Sequence, residues 1–252
     1  MSEAPRDPMR AAQANMRPAG IKRFFRQASV GEAEGGGFAL LLDGRRARTP
    51  AKRPLILPTR ALAELVAAEW AGQGETIEPA AMPLTRLANS ALDGVATTMD
   101  ATRAEIAGYA GADLLCYRAE APEALVAAET EAFDPVLDWA GPALGAKFLV
   151  GAGVVHVRQP ESALQALRAA LDAVEDPFAL AALHVMTSLT GSVLLALAVA
   201  RGRLSADEAW RIAHVGEDFQ IANWGEDEEA ESRRAARRRD FEAAARVVEA
   251  GG

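Results

Sequence analysis

An α+β protein, in which a small β-rich unit leads into an all-helical one, is what this sequence of 252 residues predicts. Two observations carry that reading. Between about residue 21 and residue 58 the chain consists of short strand-like runs broken by glycine and proline, and from Thr59 onward apolar residues recur mainly at helical spacing. Strands collected at one end and helices at the other belong to the α+β class and not to alternating α/β folds. The expected units are a tail at 1–20, a β-rich α+β domain at 21–95 and a helical domain at 96–252.

Within the β-rich part, Arg23–Val30 forms a first run, glycines 35–37 a turn, and Phe38–Leu42 a second run that ends on Asp43-Gly44, a strong hairpin signal. Arg45–Thr49 and Leu55–Leu57 complete a small antiparallel sheet, with Pro50, Pro54 and Pro58 as punctuation. Thr59 can cap the first helix, along which Leu62, Leu65, Val66 and Trp70 form one stripe. After a loop, Leu84, Leu87, Ala88, Ala91, Leu92 and Val95 repeat the helix period.

Further helices are expected near Thr98–Ala110, Glu123–Ala140 (interrupted or kinked at Asp134-Pro135), Glu161–Val174, Pro177–Arg201 and Ala206–Asn223, with a charged, solvated helix from about Glu226. Lys147–Val157 reads as a β-hairpin or strand pair around its glycines. Phe178–Ala200 carries no formal charge and is long enough to span a bilayer. Its serines, threonines and His184, with no aromatic girdle, point instead to the buried central helix of a bundle.

Composition narrows the function. A net charge of −8 argues against nucleic acid and against anionic lipid as partners. The single cysteine, Cys116, cannot form an internal disulfide and sits among leucines as a buried, inert thiol, which suits a reducing compartment. Residues 1–20 lack the apolar core of a signal peptide, and Glu3 and Asp7 count against a transit peptide, so a mobile tail is expected. Arginine greatly outnumbers Lys22, Lys52 and Lys147, the only lysines, which suggests a GC-rich bacterial genome.

Chemistry is sparse. His156, His184 and His214 are about thirty residues apart and have no metal-ligand spacing, so no metal and no cofactor is expected. No nucleophile elbow, phosphate loop or zincin motif occurs. "GAGVVHV" has no third glycine opening a helix, and "GEDEEAE" lacks the alternation of a calcium loop.

Two clusters remain. Ser205 and Glu208 form a capping box, and beyond it Trp210, His214, Glu217, Ile221 and Trp224 fall on one helical stripe. Glu217, Gln220, Ile221 and Trp224 are helical neighbours; either Ile221 and Trp224 are core with Glu217 at its edge, or a carboxylate and a carboxamide beside a tryptophan form a protein-recognition patch. Glu69, Trp70 and Gln73 close the first helix at what reads as the joint between the two parts. An acidic hydrolase site at Glu217 and Asp227 is the competing reading, and a structural adaptor another.

The blocks "KRFF", "LLDGRRARTP", "LILPTRALAELVAAEWAGQ", "IEPAAMPLTRLANSALD", "YAGADLLCYRA", "DPVLDWA", "TGSVLLALAVA" and "EDFQIANWGEDEEA", in this order and spacing, are similar to a known family. The chain resembles the assembly chaperones that bind the α subunit of the F(1) catalytic head of the rotary ATP synthase. The resemblance covers nearly everything after Lys22. Before the Asp-Pro step Glu129 or Glu131 and Phe133 stand where the family usually has glutamine and tryptophan, and Phe219 stands where it often has tryptophan or tyrosine; each swap keeps a polar chain or an aromatic ring. It implies a monomeric, soluble, non-catalytic protein of the bacterial cytoplasm, or of the mitochondrial matrix in a eukaryote. Such a protein shields the α-subunit interface until β covers it. Glu217, Gln220, Trp224 and Asp227 are the expected contact residues, with Glu69, Trp70 and Gln73 structural.

Overall fold

The computed structural model describes residues 21–225 and 227–251. The tail expected at 1–20 therefore lies outside the described residues, as does Glu226 within the acidic run.

The N-terminal strands are β1 (Ile21–Lys22), β2 (Ala28–Glu32), β3 (Phe38–Leu42), β4 (Arg45–Arg46), β5 (Ile56–Leu57) and β6 (Thr76–Ile77). β3 is the hub of the main sheet, antiparallel to β2, β4 and β5, while β1 pairs with β6. The β3–β4 turn is the predicted one. Asp43 and Gly44 both hold positive φ, 48° and 77°, which gives the two-residue turn whose twist matches a hairpin. The first expected run starts later, at Ala28, because the amides of Arg26 and Gln27 donate to the Asp43 carboxylate and not to a strand.

Helix α1 (Arg60–Ala71), N-capped by Thr59, lays Leu62, Ala63, Val66 and Ala67 on this sheet. Then follow α2 (Pro83–Asp93), α3 (Met99–Tyr109), α4 (Glu123–Leu144), α5 (Glu161–Asp172), α6 (Pro177–Thr190), α7 (Val193–Ala200), α8 (Ala206–Ala213), α9 (Val215–Trp224) and α10 (Glu228–Gly251). α6 is the centre of the helical part: α2, α3, α7 and α10 all pack on it, and Leu180, Ala182, Leu183 and Met186 are buried.

The expected single helix from Pro177 to Arg201 is in fact two. Gly191 adopts the left-handed conformation, φ 70°, that ends α6, and the Ser192 hydroxyl accepts from the Leu195 amide to start α7. Among the described residues no helix is long and apolar enough to cross a membrane. His184, on α6, is only half-buried. Its Nε2 lies 3.1 Å from Glu105 Oε1, off the line that a good hydrogen bond needs.

Other expectations need correcting. α4 runs unbroken through Asp134-Pro135, because Pro135 and Glu131 face solvent and water can satisfy the carbonyl that proline leaves unpaired. Lys147–Val157 is no hairpin: only Gly151–Ala152 (β8) is a strand, and it pairs in parallel with β7 (Tyr117–Arg118). The segment from Ala206 to Asn223 breaks at His214, where α8 ends. The charged last helix is solvated only on one side. Phe241, Ala244, Ala245 and Val247 are buried, and α10 returns to touch α1, α2 and α6. At its end the Ala250 carbonyl accepts from the Thr59 hydroxyl at 2.6 Å, so the C-terminal helix closes on the start of α1.

One buried charge holds the α6–α7 break. Asp113 is fully buried, its Oδ1 accepting from the Leu115 amide and its Oδ2 from the Leu194 amide. Burial pushes its pKa up from 3.8 to about 6 against those hydrogen bonds. Between these two values the folded protein keeps a proton that the unfolded chain has lost. Stability therefore falls as pH rises through that window, by about 3 kcal/mol from this group. Cys116 is buried beside it, its thiol pushed up to about 12 by burial and by the Asp113 charge, which makes it the inert thiol expected. In urea melts from pH 4 to 7, the stability deficit of Asp113→Asn relative to wild type should shrink as pH rises. A constant deficit would show that Asp113 titrates alike in both states.

Candidate partner-binding surface

The surface at α8–α9 is built on a buried hinge. Ser205 and Glu208 form the reciprocal capping box that starts α8, with Glu208 Oε2 accepting from the Ser205 amide at 2.8 Å. Trp210 is buried and stacks on His214, their rings 3.8 Å apart, with Phe241 of α10 behind. His214 Nδ1 donates to the Trp210 carbonyl at 2.7 Å. Burial lowers the His214 pKa, which keeps the ring neutral near pH 7.

The neutral ring decides how Glu217 is held. With the proton on Nδ1, the His214 Nε2 that faces Glu217 Oε2 at 3.8 Å presents a lone pair and no charge. The cation that remains to Glu217 is Arg234, 3.9 Å away, and Arg234 is drawn closer to Asp218. Glu217 is 39% exposed and loosely paired. Gln220, on the same helix, is exposed, and Trp224 at the helix end is 77% exposed.

The stripe expected from Trp210 to Trp224 is thus divided by the break at His214: its first half is core and its second half is surface. Asp227 lies past Gly225, and its Oδ1 accepts from the amides of Glu229 and Ala230, so it caps α10. Glu217, Gln220 and Trp224 share one short helix, whereas the Asp227 carboxylate is turned to its own helix N-terminus.

Glu69, Trp70 and Gln73 gather at the end of α1, each in a different task. The Glu69 carboxylate accepts from the amides of Leu84 and Thr85 at 2.7 and 2.8 Å and from the Thr85 hydroxyl, capping α2 from outside. The N-cap residue Met82 supplies no side-chain cap of its own. Burial raises the Glu69 pKa although these hydrogen bonds lower it. Gln73 donates to the Glu69 carbonyl and accepts from the Glu78 amide. Trp70 packs its ring against Phe25 and Phe24, at 5.5 and 6.4 Å.

The sequence reading missed a second exposed apolar feature. Leu149, Val150, Val154 and Val155 all stand exposed around β8, with Val154 essentially free of neighbours. The unbroken run "FLVGAGVV" is the available signal, but such a pattern equally fits paired strands.

No group of His, Cys, Asp and Glu among the described residues is arranged to hold a metal ion. His156 faces the Tyr117 hydroxyl at 3.3 Å, His184 faces Glu105, and His214 is in the core. The fold and this surface define a protein with a β-rich cap on a helical body, carrying exposed apolar residues beside loosely paired carboxylates. Residues 22–141 match the family model described as ATP12 chaperone protein. The crystal structure of Atp12 from Paracoccus denitrificans is 46% identical over 92% of this chain and 99% of that one, with a TM-score of 0.85; a single-residue mutant of the same Atp12p aligns equally well. The Atu1473 protein of Agrobacterium tumefaciens is 50% identical over 97% of this chain and 91% of its own, with a TM-score of 0.88. The chain belongs to the ATP12 chaperone family.

Proposed function

We propose that this chaperone binds the unassembled α subunit of the ATP synthase catalytic head and covers its subunit interface until the head assembles. The observation that carries the reading is Trp224, 77% exposed at the end of α9 with Gln220 and Glu217 on the same helix. A large aromatic left in water beside polar groups is the form that interface anchors take. Glu217, Gln220, Trp224 and Asp227 form the contact surface or hold it in place. A free α subunit exposes an apolar interface, and covering it requires no ATP: β displaces the chaperone if it binds better, because exchange follows the difference in binding free energy.

On this reading the protein acts as a monomer, without a cofactor or catalytic step. It works in the bacterial cytoplasm, or in the mitochondrial matrix of a eukaryote. The hydrolase alternative at Glu217 and Asp227 is disfavoured because Asp227 Oδ1 is committed to the α10 amides and, among the described residues, the two carboxylates share no partner. Purification of the tagged chain from cells depleted of β should bring down α in stoichiometric amount. Recovery of β in place of α, or of the chain within finished catalytic heads, would replace this reading by another client or by a structural adaptor.

A further inference from the structure

On the β-rich part, away from α9, lies a cleft of about 560 Å³ with an aromatic floor and an arginine rim. Its floor is Phe24, Phe25 and Trp70, stacked edge to face, and Phe24 is 66% exposed. Its rim is the β3–β4 hairpin with Arg45, Arg46 and Arg48. We propose that this cleft binds an acidic peptide segment, seating a large apolar side chain on the aromatic floor and its neighbouring carboxylates on the hairpin arginines.

Charge complementarity selects that occupant. Arg45 and Arg46 are exposed and make no ion pair or side-chain hydrogen bond among the described residues. The one acid of the rim, Asp43, has its carboxylate engaged by the amides of Arg26 and Gln27. The rim thus carries a cationic excess in a chain whose net charge is −8. Arginine forks match carboxylates in particular, and they do so best beside a surface that excludes water.

The floor adds a second, independent demand. Phe24 stands exposed beside Phe25 and Trp70, so an apolar side chain seated on these rings removes aromatic surface from water. The volume is that of a small binding pocket, so it takes a side-chain anchor and not a folded surface. As a second hold on a polypeptide client this deepens the α-subunit reading, on which it depends only for the source of the peptide.

The test is fluorescence anisotropy of the full chain with a short labelled peptide of glutamates around a central phenylalanine. Control arms replace the phenylalanine by alanine, replace the glutamates by lysines, or offer an oligothymidine of like charge. The acidic phenylalanine peptide should bind, more weakly at high salt, and each control should bind at least about tenfold more weakly. Arg45→Glu with Arg46→Glu should abolish binding, and Phe24→Ser should weaken it. Melting curves identify any variant that fails to fold, in which case Arg45→Gln with Arg46→Gln takes its place.

No binding by wild type, equal binding of the lysine peptide, or undiminished binding by a folded double variant overturns the proposal. A preference for oligothymidine replaces the peptide by nucleic acid and overturns it as well. Glu217→Lys should leave peptide binding unchanged, so failure here and failure of the α-subunit reading are separately visible.

Discussion

Replacing Glu69 with alanine is expected to cost about 4 kcal/mol, the largest single loss of stability from any polar residue at the α1–α2 junction. The carboxylate is the acceptor for two consecutive amides of α2 and for the Thr85 hydroxyl. Leu84 and Thr85 are both buried, and Met82 offers no substitute cap. Each amide left without a partner costs about 1–3 kcal/mol, and the helix also loses a negative charge at its positive end. In a chain of this size the sum lowers the melting temperature by roughly 10 °C. Glu69→Gln keeps one acceptor oxygen and should lose about half as much. Denaturant midpoints for the three proteins check this. An alanine variant within about 1 kcal/mol of wild type would mean that water replaces the carboxylate freely.

That junction also shows what a sequence discloses and what it withholds. Thr59, the Leu62–Val66 stripe and the Asp43-Gly44 turn act within a few residues of themselves, so their local pattern reports them directly. Glu69, Trp70 and Gln73 were legible as a cluster at the end of a helix, but not the work of each. Glu69 caps a helix fifteen residues away, and Trp70 rests on rings from the start of the chain. No periodicity encodes such distant pairings.

The same limit explains the helices that were joined in error. Apolar residues continue a helical pattern on both sides of Gly191 and of His214; the left-handed Gly191 and the Ser192 cap are local break signals, and distant contacts reinforce the first break. Leu114 and Asp113 dock at the first break, and Trp210 pins the second. In α10 the dense charge of its first half hid the Phe241–Val247 stripe that carries the burial. On the candidate surface, the i, i+3, i+7 placement of Glu217, Gln220 and Trp224 could be read from spacing. The neutral His214 that leaves Glu217 loosely paired could not, because it depends on how deeply one ring is buried.

Glu217→Lys is expected to abolish capture of free α subunit while leaving the fold nearly intact. The carboxylate is partly exposed and its cationic neighbour among the described residues, Arg234, keeps Asp218 as a partner, so removing it strands no buried group. Placing an ammonium beside Arg234 adds repulsion, but partly exposed pairs are worth only about 0–1 kcal/mol, which bounds the stability loss. At a contact surface the same change acts twice, withdrawing a favourable charge and opposing the client's cation with another, and it should weaken binding at least about tenfold. Glu217→Gln keeps shape and an acceptor and should lose much less. The measurement is a pull-down of β-deprived or freshly unfolded α subunit, run beside thermal melts of both variants. A melt many degrees lower would make Glu217 a structural carboxylate, since the loss would then lie in the α9–α10 contact through Arg234. Normal folding with full capture would move the client surface away from α9. The exposed valines at 150, 154 and 155 would then be the next residues to replace, because they form the other large apolar exposure on the helical part. Only normal folding with lost capture assigns α9 to the client, and Trp224→Ala should then reproduce the loss without any change of charge, as an aromatic anchor would.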